Sequence, residues 1–286
     1  MVCYQRITNE TTNSIIVFCK CACQIRINKT IITSVKDKVK ILNVEINNIS
    51  KEDLLKNLFE GVLITPNVDH LVNLQKDKEF YEVYQNADWV VCDSKILYFI
   101  SKLLKNSIKE AIPGSGFFPA FYHYHKDNKD MKIFLLGAAE GVAEKAKNNI
   151  NNEVGWEMVI GAHSPSYGFE NNEEECEQIV NLINSTCANV LLVGVGAPKQ
   201  EKWIYKYKNR FDKVKLFMAL GATIDFEAKH IPRAPQHVQK SGLEWLYRLY
   251  REPQRLWRRY LVEDIKFFYY FALQLIGRYK NPFGED

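Results

Sequence analysis

From Lys38 onward, short runs of β-branched and aliphatic residues alternate with longer stretches whose apolar positions recur every three or four residues. The short runs cover residues 39–46, 62–65, 89–92, 132–136, 158–160, 190–193 and 215–220, and each ends in turn-forming or polar residues. Between them the spacing predicts helices over 51–59, 70–85, 95–105, 117–125, 141–150, 173–184 and 199–209. Such alternation predicts an α/β fold with a mostly parallel sheet and helices on both faces, filling residues 38–232. Residues 1–37 show no sustained period and stand apart as an N-terminal extension of unassigned role. Past residue 233 the character changes. Trp245, Leu246, Leu249, Leu256, Trp257, Tyr260 and Leu261 return at helical spacing among arginines, so 233–286 are predicted to form a C-terminal helical appendage. Pro253 is expected to open a second helix there, because proline fits a first turn and not an interior.

Charge sharpens this division. The net charge of +4 over 286 residues is too small to point to nucleic acid as a partner. Between Arg233 and Lys280, however, ten Lys and Arg stand against four acids. The basic, aromatic tail therefore reads either as a helix packed on the core or as an amphipathic element lying on an anionic membrane surface. The aromatic run 267–277 is shorter than the roughly 20 residues needed to span a bilayer. Seven cysteines, three of them alternating as Cys19, Cys21 and Cys23, together with a start that makes a poor secretion leader, suit a reducing cytoplasm.

In open, Rossmann-like parallel sheets ligands bind beyond the carboxyl ends of the strands. Thr65 and Asn67, Asp93, Gly137, the segment from Gly194 to Glu201, and the segment from Gly221 to Asp225 all follow predicted strands. Gly194, Gly196, Ala197 and Pro198 suit either a phosphate-binding turn at a helix start or a plain tight turn. Lys199, Gln200 and Glu201 favour the first reading. Asp93 could take a proton from a sugar hydroxyl, or only cap the helix beginning near Ser94. The acidic ribose-binding element of a dinucleotide fingerprint is missing, which disfavours a nicotinamide enzyme, and no cofactor is expected. The chain has no Asp-x-Asp pair to hold a divalent ion on a diphosphate. Arg233, Arg248, Arg255 and Arg258 are the cations expected in its place, the last three spaced by seven and three.

In combination, Thr65-Pro66-Asn67, Asp93, Gly196-Ala197-Pro198-Lys199-Gln200-Glu201, Gly221-Ala222-Thr223-Ile224-Asp225-Phe226, Arg233-Ala234-Pro235 and Leu243-Glu244-Trp245-Leu246-Tyr247-Arg248-Leu249, with Glu252-Pro253 and Arg255, resemble the WecG/TagA/CpsF glycosyltransferases. The resemblance runs in unbroken order from about Lys38 to Arg259. It implies inverting, metal-independent transfer of a sugar from a UDP-sugar to a polyprenyl-diphosphate-linked sugar, in surface polysaccharide or glycopolymer synthesis. The expected location is cytoplasmic, peripheral on the inner face of the cell membrane. The resemblance also implies Asp93 as general base, Thr65 and Gln200 as active-site polar groups, and Asp225 in a nucleotide-proximal motif. Arg248, Arg255 and Arg258 match arginines of an appendage that closes over the site, and Asn67, Gly137, Gly196, Ala197, Lys199, Glu201 and Arg233 are further expected substrate contacts. Ala111 and Gly116 stand where the family commonly has arginine and aspartate. Those departures keep open a catalytically silent nucleotide-sugar or lipid-linked-glycan binding protein; self-association is open as well.

Overall fold

The structure, a computed structural model, describes residues 37–235, 238, 241 and 243–284, without the side chain of Arg255. All but the last residue of the proposed N-terminal extension, including its cysteine alternation, lies outside the described residues.

Six strands form the main sheet: β3 (Gly61–Ile64), β4 (Trp89–Val90), β5 (Ile133–Gly137), β6 (Val159–His163), β7 (Val190–Gly194) and β8 (Leu216–Ala219). Their order is β4-β3-β8-β7-β5-β6, and every pairing is parallel. Alternate residues of the central strands enter different cores, as the two-residue period of a strand requires. Phe134, Leu136, Leu191 and Val193 belong to one buried cluster, and Ile133, Leu135, Val190 and Leu192 to the other. The helices covering the sheet are α1 (Lys51–Asn57), α2 (Val68–Asn73), α3 (Lys78–Gln85), α4 (Lys95–Ser101), α5 (Gly114–Tyr124), α6 (Val142–Val154), α7 (Glu173–Asn184), α8 (Lys199–Tyr207) and α9 (Thr223–Glu227).

Two sequence expectations are corrected. The run 39–46 is not one strand but a separate antiparallel hairpin of β1 (Lys38–Ile41) and β2 (Val44–Asn47), turning at Leu42 with φ 55. Gln274 stabilises that turn by accepting the Leu42 N–H at 2.7 Å and donating to the Lys40 carbonyl at 3.0 Å. The stretch 70–85 is two helices, because the Asp77 carboxylate accepts the Phe80 N–H and starts α3 afresh.

The C-terminal region comprises α10 (Glu244–Arg251), α11 (Pro253–Arg258), a π-turn (Arg259–Glu263) and α12 (Ile265–Leu275). Pro253 occupies the first turn of α11, as its chemistry predicts. One face of α12 is driven into the core through Phe267 and Phe271. Beyond it, Tyr279 donates to Gln75, and Asn281 joins Asn43 and Tyr81. The final limb is thus stitched to the hairpin and to the region of α2 and α3.

Candidate active site

The chain leaves β5 toward β6 and leaves β7 toward β8, in opposite directions across the sheet. A crevice therefore belongs at the carboxyl ends of β5 and β7, where Gly137 pairs with Gly194. Glycine is obligatory at both. A Cβ at Gly137, which has φ +134, would lie 2.5 Å from the Gly194 carbonyl oxygen, and one at Gly194 would lie 2.6 Å from that of Gly221. Backbone therefore meets backbone where Gly137 and Gly194 end β5 and β7 and Gly221 follows β8.

Asp93 stands beyond β4. Its backbone N–H donates to the Pro66 carbonyl, which ties it to the Thr65-Pro66-Asn67 loop. One carboxylate oxygen, Oδ1, accepts the Gly114 N–H at 2.9 Å. Gly114 in turn packs on Leu220, where a Cβ would meet Leu220 Cδ2 at 2.9 Å, so α5 begins hard against the end of β8. Burial raises the pKa of Asp93 to about 6, aided by Glu244 and opposed by the Gly114 N–H and by Arg248 and Arg259. The helix beginning at Lys95 is capped not by Asp93 but by Ser94. Thr65 is buried beside this loop. Asn67 caps α2 by accepting the His70 N–H at 3.2 Å.

The Lys199-Gln200-Glu201 triplet diverges. Gln200 is buried, and its Oε1 accepts the N–H groups of Gly196 at 3.2 Å and Gly221 at 3.1 Å. It is therefore a strut joining the β7–α8 turn to the end of β8. Its amide donates to Glu201 Oε1 at 2.8 Å. Glu201 is fully buried, its Oε2 has no partner, and burial pushes its pKa up to about 7. Lys199 turns outward, pairing with Glu170 and lying over the Tyr167 ring. Ala197 is half-buried in the turn before α8.

The appendage does reach the rim. The guanidinium of Arg248 lies 5.4 Å from the centre of the Phe226 ring, and that of Arg233 lies equally far from the same ring. Arg248 also pairs with Glu244 at 3.0 Å, and Arg233 approaches Glu227 at 3.7 Å. Asp225, half-buried in α9, accepts the His230 N–H on its backbone oxygen. Arg258 is exposed, and its charge acts on Glu263. The side chain of Arg255 lies outside the described residues. Arg259 is the cation that sequence reasoning missed: it pairs with Asp69 at 3.2 Å and its charge acts on Asp93. It stands eleven residues after Arg248, three turns of an unbroken helix, a spacing that returns to the same face as well as seven does. Among the described residues no three His, Cys, Asp or Glu side chains form a group able to hold a metal ion.

A family model described as Glycosyl transferase WecG/TagA/CpsF family matches residues 39–281. Two curated relatives are each named N-acetylglucosaminyldiphosphoundecaprenol N-acetyl-beta-D-mannosaminyltransferase. The one from Staphylococcus aureus (strain MRSA252) is 27% identical over 230 residues, covering 77% of this chain and 87% of that protein. The one from Bacillus subtilis (strain 168) is 26% identical over 201 residues, covering 70% and 75% respectively.

Proposed function

The chain belongs to the WecG/TagA/CpsF family of glycosyltransferases, and on that premise we propose that it moves a sugar from a UDP-sugar onto a polyprenyl-diphosphate-linked sugar, with inversion and without a metal ion. The observation that carries the mechanism is Asp93 at the sheet rim, with one oxygen fixed by Gly114 and two arginines acting on its charge. Its other oxygen takes the proton of the acceptor hydroxyl. The acceptor oxygen attacks the anomeric carbon from the side opposite UDP, and the sugar–phosphate bond breaks with its electron pair leaving on UDP. A base held near pKa 6 is largely ionised at neutral pH yet still basic enough to assist this transfer.

The departing diphosphate meets positive charge from Arg248 and Arg233, gathered at Phe226. The start of α8 has no side-chain cap, which leaves its dipole available to a phosphate. Gln200, whose amide is held by Glu201, supports the site from within by holding Gly196 and Gly221. The core from 38 to 232 carries the chemistry, and the region from 233 supplies cations and a membrane face.

No described helix is long and apolar enough to cross a membrane. On α12, however, Ile265, Phe268, Tyr269 and Leu275 are exposed, next to Lys266 and Arg278. Peripheral docking on the inner face of the cell membrane, where a lipid-linked acceptor resides, accounts for that face.

The names of the relatives make N-acetylmannosamine and N-acetylglucosaminyl-diphosphoundecaprenol the first donor sugar and acceptor to test. A UDP-release assay with a short-chain analogue of that acceptor, read with product mass, should show transfer that Asp93→Asn abolishes. UDP binding without release across a panel of donors and acceptors would instead mark a silent binding protein.

A further inference from the structure

We infer that Arg259, gripped by Asp69, is a positioning residue that holds α10 and keeps Arg248 at Phe226. The inference rests on the role proposed for Asp93. α10, which carries Arg248, buries no side chain of its own. Its placement must come from contacts at a few points, and segments held that way are the ones that open most readily. One such contact is Trp245, whose ring meets Tyr260 edge-on at 6.0 Å. Tyr260 lies in the π-turn beside Arg259, whose guanidinium is 5.6 Å from the Tyr260 ring centre.

The π-turn is fixed to the core at both ends. Arg259 pairs with Asp69 in the first turn of α2, and Glu263 approaches Lys76 just past the end of α2 at 3.8 Å. The first pair is the more enclosed: the Asp69 side chain is 16% exposed, and Arg259 Nε is buried. Two ion pairs running in the same sense along α2 admit one register of the π-turn. That register places Tyr260 against Trp245 and leaves Arg248 at Phe226. Removing the grip frees α10 to swing, and Arg248 leaves Phe226, so that its charge no longer favours the Asp93 carboxylate. The charged and titratable groups around Asp93 are Arg248 and Glu244 on α10, Arg259 on the π-turn, Tyr84 on α3 and Cys92 on its own strand end. The last two are kept neutral by burial, so Arg248 and Arg259 are the cations that favour its carboxylate.

Hydrogen exchange of the full chain, read together with the pH profile of kcat/KM, tests this. In Arg259→Gln and in Asp69→Asn, amides of residues 244–251 should exchange at least about tenfold faster, with β5, β7 and β8 unchanged. Turnover at neutral pH should fall, and Arg259→Lys should retain most of both properties. The sign of the pH shift in Asp69→Asn is decisive. Losing an acid would by itself move the acid limb down, whereas losing Arg248 moves it up, and an upward shift is expected. A downward or absent shift, unchanged exchange in 244–251, or protection lost evenly across the sheet would each overturn the inference. If Asp93→Asn keeps its turnover, the proposed base fails, while the exchange data still decide whether Arg259 holds α10.

Discussion

Asp93 Oδ1 accepts the Gly114 N–H at 2.9 Å, so the side chain that closes β4 also caps α5, whose own N-cap residue, Pro113, makes no side-chain hydrogen bond. Capping and proton transfer are thus two uses of one carboxylate, and two substitutions separate them. Asp93→Asn keeps an oxygen for Gly114 and should not lower the melting temperature, while lowering kcat by about 10²- to 10⁴-fold. Asp93→Ala should lose the same activity and about 0.5–2 kcal/mol of stability in addition. Near-normal turnover by the Asn variant would remove Asp93 from the mechanism.

The pH dependence has two opposite signs. Burial places the folded-state pKa of Asp93 at about 6, above the reference value of 3.8. Between those values the folded protein keeps a proton that the unfolded chain has released, so this residue erodes stability as pH rises through that window. Activity runs the other way, since the base is lost as pH falls below about 6. The acid limb of kcat/KM should therefore lie near that value. In Asp93→Asn, denaturant midpoints should gain more over the native protein at neutral pH than at about pH 4.

Much of this architecture is legible from apolar spacing. α7 begins and ends as its pattern requires, with Asn172 capping a first turn of three glutamates. What escapes depends on contacts distant in sequence. The hairpin turn at Leu42 and Asn43 carries no glycine or proline, and it is held by Gln274, 232 residues away from Leu42. Gln200 reads as a ligand contact because it sits at a helix start, but its partners include Gly221 on the neighbouring strand end. Helical spacing alone does not separate Arg258 from Arg259, because the chain bends at Glu252 and then inserts a π-turn, so the register set by Arg248 is not carried through.

Gln200 should prove structural when substituted. Gln200→Ala orphans two backbone N–H groups at the rim, at a cost of about 1–3 kcal/mol each where water cannot replace the lost partner. Gln200→Glu could still accept both N–H groups, but it sets a second carboxylate against Glu201 Oε1, now 2.8 Å from the Gln200 amide nitrogen. Two such groups cannot both ionise, so the pair holds a proton that the unfolded chain releases. The stability of Gln200→Glu should then fall more steeply than that of the native protein between about pH 5 and about pH 8. Equal slopes in denaturant unfolding would show that Glu201 does not face this position.

Phe267 and Phe268 are neighbours on α12 with opposite surroundings, 0% and 50% exposed respectively. Phe267 stacks on Phe271 with ring centres 5.7 Å apart, inside the core cluster that also contains Phe80 and Leu71. Phe267→Ala should therefore cost about 3–5 kcal/mol in unfolding experiments. Phe268 shares the outward face with Ile265, Tyr269 and Leu275, where burial against lipid is the gain on offer and truncation leaves no cavity. Phe268→Ser should unfold as the native protein does, yet sediment less with vesicles containing anionic lipid. The loss should persist at raised salt, because it removes apolar area rather than charge. If Phe268→Ser binds vesicles as tightly as the native protein, the outward face of α12 is not the membrane contact. Lys266 and Arg278 would then be left as a solvated basic surface.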